Sequence, residues 1–137
     1  MSKNVLVTGS GGIGGVNFVN ALRVTKKEYL ISGTDFNKYY LELPSLDFKY
    51  ITPRHTDPKF LEKIKEIIGK DKIDFLHPSP HAEASVIAKE INDIKTATYL
   101  PKYDVIIRDK LQTQEILERN QVPVAKTEIV DSLQDIK

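Results

Sequence analysis

The sequence predicts an α/β fold: an open parallel sheet in three layers, with helices on both faces. Short apolar segments alternate with amphipathic segments along the 137 residues, as strands alternate with helices in folds of this class. The first apolar segment, residues 4–8, contains three consecutive aliphatic residues, which is typical of a strand covered on both faces. A glycine-rich segment and an amphipathic stretch ending near Arg23 follow it directly. This order of strand, glycine-rich turn and helix predicts a Rossmann-like domain.

The later segments continue the alternation. Strands are predicted at residues 29–35, 48–52, 73–77 and 96–100, with a surface loop at residues 36–46. Asp57 and Pro58 predict a helix start, because an N-cap acceptor followed by proline favours the first turn, and Gly69 is expected to end that helix. Further helices are predicted after Ser79-Pro80 and over residues 109–120, followed by extended chain at residues 122–130.

The composition narrows the classes of function. A chain of 137 residues is long enough to bury a sizeable core. Because it contains no cysteine, disulfides, zinc–thiolate sites and cysteine catalysis are excluded. The formal net charge is +1 and the charges are interspersed, so a nucleic-acid partner is not expected. No apolar run is long enough for a membrane span, and no secretory signal pattern is present. These observations predict a cytoplasmic protein that binds neither nucleic acid nor membranes.

The glycine-rich segment is the first candidate site. Gly9, Ser10, Gly11 and Gly12 lie where backbone N–H groups and the positive end of a helix are aimed at a bound phosphate or another ligand. The spacing matches both the TGxxGxxG pattern of extended short-chain dehydrogenases and the more general GxGxxG pattern. A tight turn with close packing between helix and sheet is the alternative interpretation.

Two carboxylates follow predicted strands. Asp35 ends the second strand, where a dinucleotide enzyme keeps its ribose-binding carboxylate, although an aspartate there is equally suited to begin a turn. Glu83 follows the strand at residues 73–77, beside the crevice where open α/β sheets bind ligands. A dehydrogenase of the extended class also needs a Tyr-x-x-x-Lys motif, and none of the six tyrosines has lysine four positions later. The dehydrogenase interpretation therefore loses weight.

The order of several short motifs resembles the N-terminal part of ATP-grasp enzymes of the carbamoyl-phosphate synthase large-chain type. The motifs are VTGSGG at residues 7–12, GTD at 33–35, IDFLHP at 73–78 with Glu83, IRDK at 107–110 and NQVPVAKT at 120–127. The resemblance implies a Rossmann-like pre-ATP-grasp domain over residues 1–108 and the start of an ATP-grasp domain over residues 109–137. Asp131 and Gln134 have the spacing of a capping box, so another helix is expected to begin there and the sequence looks truncated.

The resemblance implies a function in the ligation of carboxylates. ATP and Mg²⁺ would activate a small-molecule carboxylate as an acyl phosphate, and Lys110 corresponds to a basic position that contacts ATP in related enzymes. The glycine-rich turn, Asp35 and Glu83 would line the substrate crevice. The Mg²⁺ ligands of the family lie further along the chain, so these residues alone are expected to be inactive and to need a C-terminal ATP-grasp domain or chain. Two alternatives stay open: an NAD(P)-binding fragment of an extended short-chain dehydrogenase or epimerase, and a standalone non-catalytic partner subunit.

Overall fold

The computed structural model of the chain describes residues 2–100 and 110–135, which form two compact units. The first unit contains strands β1 (Lys3–Thr8), β2 (Tyr29–Asp35), β3 (Phe48–Ile51) and β4 (Phe75–Pro78), with helices α1 (Ile13–Arg23), α2 (Lys59–Lys70) and α3 (His81–Lys89). The second unit contains helix α4 (Lys110–Arg119) and a 3₁₀ turn, Leu133–Asp135. None of the helices in the described parts is long and apolar enough to cross a membrane.

The four strands form one sheet in the order β3-β2-β1-β4, with every neighbouring pair parallel. Val5 of β1 lies beside Ile31 of β2 and Phe75 of β4. The chain therefore builds the sheet outward from β1 in one direction and then returns to add β4 on its other side. The carboxyl ends of all four strands meet at one edge, and the strand order reverses between β1 and β4, where open α/β sheets commonly bind ligands. This architecture confirms the predicted Rossmann-like α/β fold.

Apolar side chains cover both faces of the sheet. On one face, Leu6 and Leu76 pack with the apolar sides of α2 and α3, including the fully buried Phe60, Ile64 and Ile87. Side chains alternate across a strand, so Val5 and Val7 point to the opposite face, where Val19 of α1 and Ile31 of β2 complete a second cluster. The three layers expected from the sequence are thus present, with one helix on one face and two on the other.

The end of α2 differs from the sequence prediction. Gly69 does not end this helix, which continues to Lys70. Lys72 adopts the left-handed conformation, with φ 48°, and the Ile73 N–H donates to the Ile68 carbonyl, as in a glycine-ended helix. The helix begins one residue later than expected, at Lys59 instead of Pro58, and the Asp57 carboxylate accepts a hydrogen bond of 2.8 Å from the Lys59 N–H.

The expected strand at residues 96–100 is reduced to a single parallel bridge between Phe75 and Ala97. One hydrogen bond, 2.8 Å from the Leu76 N–H to the Ala97 carbonyl, continues the sheet at this point. In the second unit, residues 122–130 form no strand, and Leu133–Asp135 form a 3₁₀ turn where the sequence predicts the first turns of an α-helix. The boundary expected between residues 108 and 109 lies outside the described residues.

Candidate functional site

The glycine-rich turn joins β1 to α1 and is packed tightly against its surroundings. Gly9 has φ +54°, a left-handed conformation that side-chain-bearing residues rarely adopt. The Ser10 N–H and hydroxyl both donate to the Thr34 carbonyl, at 2.9 and 3.2 Å, so this buried side chain faces the end of β2. The Gly12 N–H closes the turn onto the Gly9 carbonyl at 3.1 Å.

Two neighbouring segments lie directly over these glycines. A β-carbon at Gly9 would lie 2.5 Å from Pro80 Cδ, and one at Gly11 would lie 2.5 Å from the Tyr40 carbonyl oxygen. Both distances are far below van der Waals contact, so only glycine fits at either position. Pro80 precedes α3, and Tyr40 begins a 3₁₀ turn in the segment that the sequence marks as a surface loop. This geometry supports the interpretation of the segment as a close-packed strand-to-helix turn.

A cavity of about 270 Å³ opens beside the turn at the carboxyl edge of the sheet. Its lining residues are Gly9, Gly12, Asp35, Phe36, Tyr40, Arg54, His55, Pro80, Ala82 and Glu83. The cavity thus brings together four of the residues singled out in the sequence: Gly9, Gly12, Asp35 and Glu83. Ser10 and Gly11 lie behind this lining, the first against Thr34 and the second beneath Tyr40. Ligand contact by any of these residues stays a prediction.

Asp35 is the last residue of β2 and is only 4% exposed. Its Oδ1 atom accepts a hydrogen bond of 3.0 Å from the Asn37 N–H, two residues later. Aspartate favours such a turn because its short carboxylate reaches the backbone ahead of it. Asp35 therefore begins the loop after β2, as the turn interpretation expects, and it also lines the cavity, while its contact with a ribose or another ligand stays a prediction.

Glu83 lies in the first turn of α3 and is only 8% exposed. Burial raises the pKa of its carboxyl group, and the nearby negative charge of Asp35 raises it further, while the Thr8 hydroxyl acts in the opposite direction. Its Oε2 atom is buried and has no hydrogen-bond partner of normal length among the described residues. Thr34 Oγ1, near the end of β2, is buried without such a partner as well.

Among the lining residues that sequence reasoning missed, three have polar side chains: Arg54, His55 and Tyr40. Arg54 and His55 come just after β3, and the Arg54 guanidinium lies 3.8 Å from the centre of the Phe36 ring. A signal for the first two was present, since they follow a predicted strand and the carboxyl ends of parallel strands share one edge of the sheet. Nothing in the sequence pattern brings Tyr40 onto Gly11, because a loop of this length has many possible paths.

The other conspicuous residues lie elsewhere or form no cluster. His77 stacks on Phe18 with ring centroids 3.7 Å apart, and burial lowers the pKa of its imidazole. His81, at the start of α3, is exposed. Lys110 is the exposed first residue of α4, in the second compact unit. Across the described ranges, no three His, Cys, Asp or Glu side chains are grouped as ligands for a metal ion.

Comparison with known proteins shows similarity at the level of the fold. No protein-family model and no curated protein matches the sequence. The biotin carboxylase subunit of pyruvate carboxylase is similar in structure, with a TM-score of 0.58 and 20% sequence identity over 98% of this chain and 31% of that chain. A dTDP-glucose 4,6-dehydratase from Bacillus anthracis, solved in complex with NAD, has a TM-score of 0.50 and 14% identity over 89% of this chain and 52% of its own. The chain therefore spans about a third of one protein and half of the other.

Proposed function

We propose that this chain is the substrate-side, Rossmann-like domain of an ATP-grasp ligase of the carbamoyl-phosphate synthase large-chain type. ATP with Mg²⁺ would supply the phosphoryl group that activates a small-molecule carboxylate as an acyl phosphate. This chain would contribute one wall of the substrate crevice, formed by the cavity beside Gly9, Asp35 and Glu83. Lys110 would contact ATP, and the Mg²⁺ ligands would come from a C-terminal ATP-grasp domain or chain.

The observation that carries this proposal is the close packing above the glycine-rich turn. A dinucleotide-binding turn leaves the second glycine open so that the pyrophosphate approaches the backbone. Here the Tyr40 carbonyl oxygen lies where a β-carbon of Gly11 would project, and Pro80 occupies the corresponding place at Gly9. The protein itself therefore covers Gly9 and Gly11, which favours a role of these two glycines in shaping a crevice, whereas Gly12, the second glycine of the TGxxGxxG pattern, is open toward the cavity.

Charge supports the same interpretation. Glu83 Oε2 lies 3.4 Å from the β-carbon position of Gly9. A second carboxylate, that of Asp35, lines the same cavity. Two acidic groups favour a ligand that carries a positively charged group over a diphosphate, whose charges are all negative. The similarity to the biotin carboxylase subunit adds a weaker argument, because it extends over 98% of the chain and therefore over both compact units.

Trapping of an acyl phosphate tests the proposal. The product of the complete gene, incubated with ATP, Mg²⁺, hydroxylamine and a panel of carboxylates, is expected to form a hydroxamate from one of them and to release ADP in equal amount. A Lys110→Ala variant is expected to weaken the apparent affinity for ATP, whereas Lys126→Ala in the same unit serves as a matched control. Absence of hydroxamate and of carboxylate-dependent ADP release across the panel would refute the ligase function.

The dehydrogenase alternative has one observation in its favour: Asp35 ends β2 and is buried at the edge of the sheet where a ribose carboxylate would lie. A fluorescence titration of the 137-residue chain with NADH separates the two functions. Our proposal predicts no saturable binding. Binding that is saturable and is lost in Asp35→Ala, but retained in the exposed control Asp93→Ala, would favour the dehydrogenase.

A further inference from the structure

We propose that the cavity at the carboxyl edge of the sheet binds a small amino acid, with its ammonium group at Asp35 and Glu83 and its carboxylate at Arg54. This inference rests on the proposed function and names the substrate class that the crevice would select. It rests on the charges of the lining residues, on the burial of the two carboxylates and on the size of the cavity.

One oxygen of the buried Glu83 carboxyl group, Oε2, lacks a hydrogen-bond partner among the described residues, and a second carboxylate, that of Asp35, lies near it. Within the described ranges, neither Asp35 nor Glu83 forms an ion pair. Glu83 is more than nine-tenths buried, lines the cavity, and leaves Oε2 without a partner. A buried acceptor without a donor is costly, so such groups in native proteins usually have a partner. A primary ammonium group supplies three N–H donors and a positive charge, which matches two adjacent carboxylates.

The opposite charge is supplied by Arg54. Its guanidinium lies on the Phe36 ring, at 3.8 Å from the ring centre, and makes no ion pair with any described carboxylate. Stacking on an aromatic ring holds the planar group in one orientation and leaves its in-plane N–H donors available. Such a donor fork suits the two oxygens of a carboxylate. Acceptors for an ammonium and donors for a carboxylate therefore line one cavity.

The size of the cavity suits a small ligand. Its volume is about 270 Å³. This is slightly smaller than the sites that bind drug-sized molecules, whose volumes are roughly 300–1,000 Å³. A small zwitterion fits within this volume. The two carboxylates also disfavour dicarboxylates and tricarboxylates, which would bring a second negative charge against them.

Binding assays with the 137-residue chain test the inference. Each of the twenty common L-amino acids is added at millimolar concentration in a thermal-shift assay, and calorimetry then gives the Kd of the best ligand. We expect at least one amino acid to bind. Its analogue without the amino group should bind at least tenfold more weakly to the unaltered chain. Failure of all twenty to bind, or equal binding of the analogue without the amino group, would overturn the inference.

Variants assign the two ends of the ligand. Glu83→Gln is expected to weaken amino-acid binding at least tenfold, while the exposed control Glu62→Gln leaves the Kd unchanged. In Arg54→Ala, the amino acid and its amino-alcohol analogue should bind with equal affinity, because only the carboxylate contact is removed. If Glu83→Gln does not fold by circular dichroism, Asp35→Asn takes its place. Unchanged affinity in the folded carboxylate variant, or a retained preference for the carboxylate in Arg54→Ala, would contradict the assignment.

The outcome is separable from that of the ligase test. Amino-acid binding without any hydroxamate formation would leave the site in place and refute the ligase. Hydroxamate formation from a carboxylate that lacks an amino group, with no amino acid bound, would refute the site and leave the ligase.

Discussion

Replacement of Gly9 by alanine tests the packing on which the functional argument depends. A side chain at φ +54° costs roughly 1–2 kcal/mol, since the left-handed conformation brings the β-carbon close to the backbone. The new β-carbon would also collide with Pro80, whose Cδ lies 2.5 Å away in a rigid ring, and overpacking of this kind costs about 1–3 kcal/mol. We expect Gly9→Ala to lower the free energy of unfolding by about 2–5 kcal/mol, the sum of these two costs.

Gly69 provides a matched control with the opposite sign. It lies within α2, and a β-carbon there would meet nothing within 4 Å. Because alanine loses less backbone entropy than glycine in a helix, Gly69→Ala should stabilise the chain by roughly 0.5–1 kcal/mol. Urea unfolding followed by circular dichroism measures both changes. In thermal unfolding, a change of 1 kcal/mol in stability shifts the Tm by about 4 °C or more for a unit of this size.

A double variant identifies the source of the cost. Pro80→Ala removes the ring atoms that a β-carbon at Gly9 would meet, so it should restore part of the stability lost in Gly9→Ala. We expect a coupling free energy of about 1 kcal/mol between the two positions, as found for residues in contact. If Gly9→Ala is as stable as the unaltered chain, or if the two changes are simply additive, the close packing of Pro80 on the turn is wrong.

Two further predictions concern the dependence of stability on pH. Because burial raises the pKa of Glu83, the folded chain holds that proton more firmly than the unfolded chain, and stability should fall as pH rises from about 4.3 through the raised value. Glu83→Gln should lack this loss and become the more stable form by pH 7. A difference in melting temperature between the two proteins that stays constant from pH 4 to 8 would contradict this. The Asn4 N–H, and after it Lys3, lower the pKa of Asp74. Asp74→Asn should therefore be less stable at pH 7, and the difference in urea midpoint should shrink as pH falls below about 4; a constant difference would count against the pairing.

Much of the fold could be predicted because its signals are local. The apolar run before the glycines and the periodic apolar face of α2 depend on residues close together in the sequence. Parallel pairing then follows from the alternation of strands and helices. The errors arose where contacts between residues far apart in the sequence determine the local structure. The single bridge at Ala97 depends on how far β4 is paired, and Lys72 takes the left-handed turn that Gly69 was expected to take.

The candidate site was predicted only in part. Asp35 and Glu83 were found because each follows a strand, and the ends of parallel strands meet at one edge. Arg54 and His55 satisfy the same rule after β3 but carry no distinctive motif. The position of Tyr40 over Gly11 depends on the path of a loop, for which the sequence has no periodic signal.

The sequence by itself determined the class of fold, the order of its layers and the edge of the sheet at which a ligand site would lie. These properties follow from local conformational preference and from the burial of apolar faces. Only the tertiary structure decided what the glycine-rich turn faces. Its sequence pattern is the same whether a phosphate or the protein's own chain lies against it, because both need the absence of a side chain. Tyr40 and Pro80, which lie 29 and 71 residues beyond Gly11 and Gly9 in the sequence, occupy that space because the folded backbone brings them there.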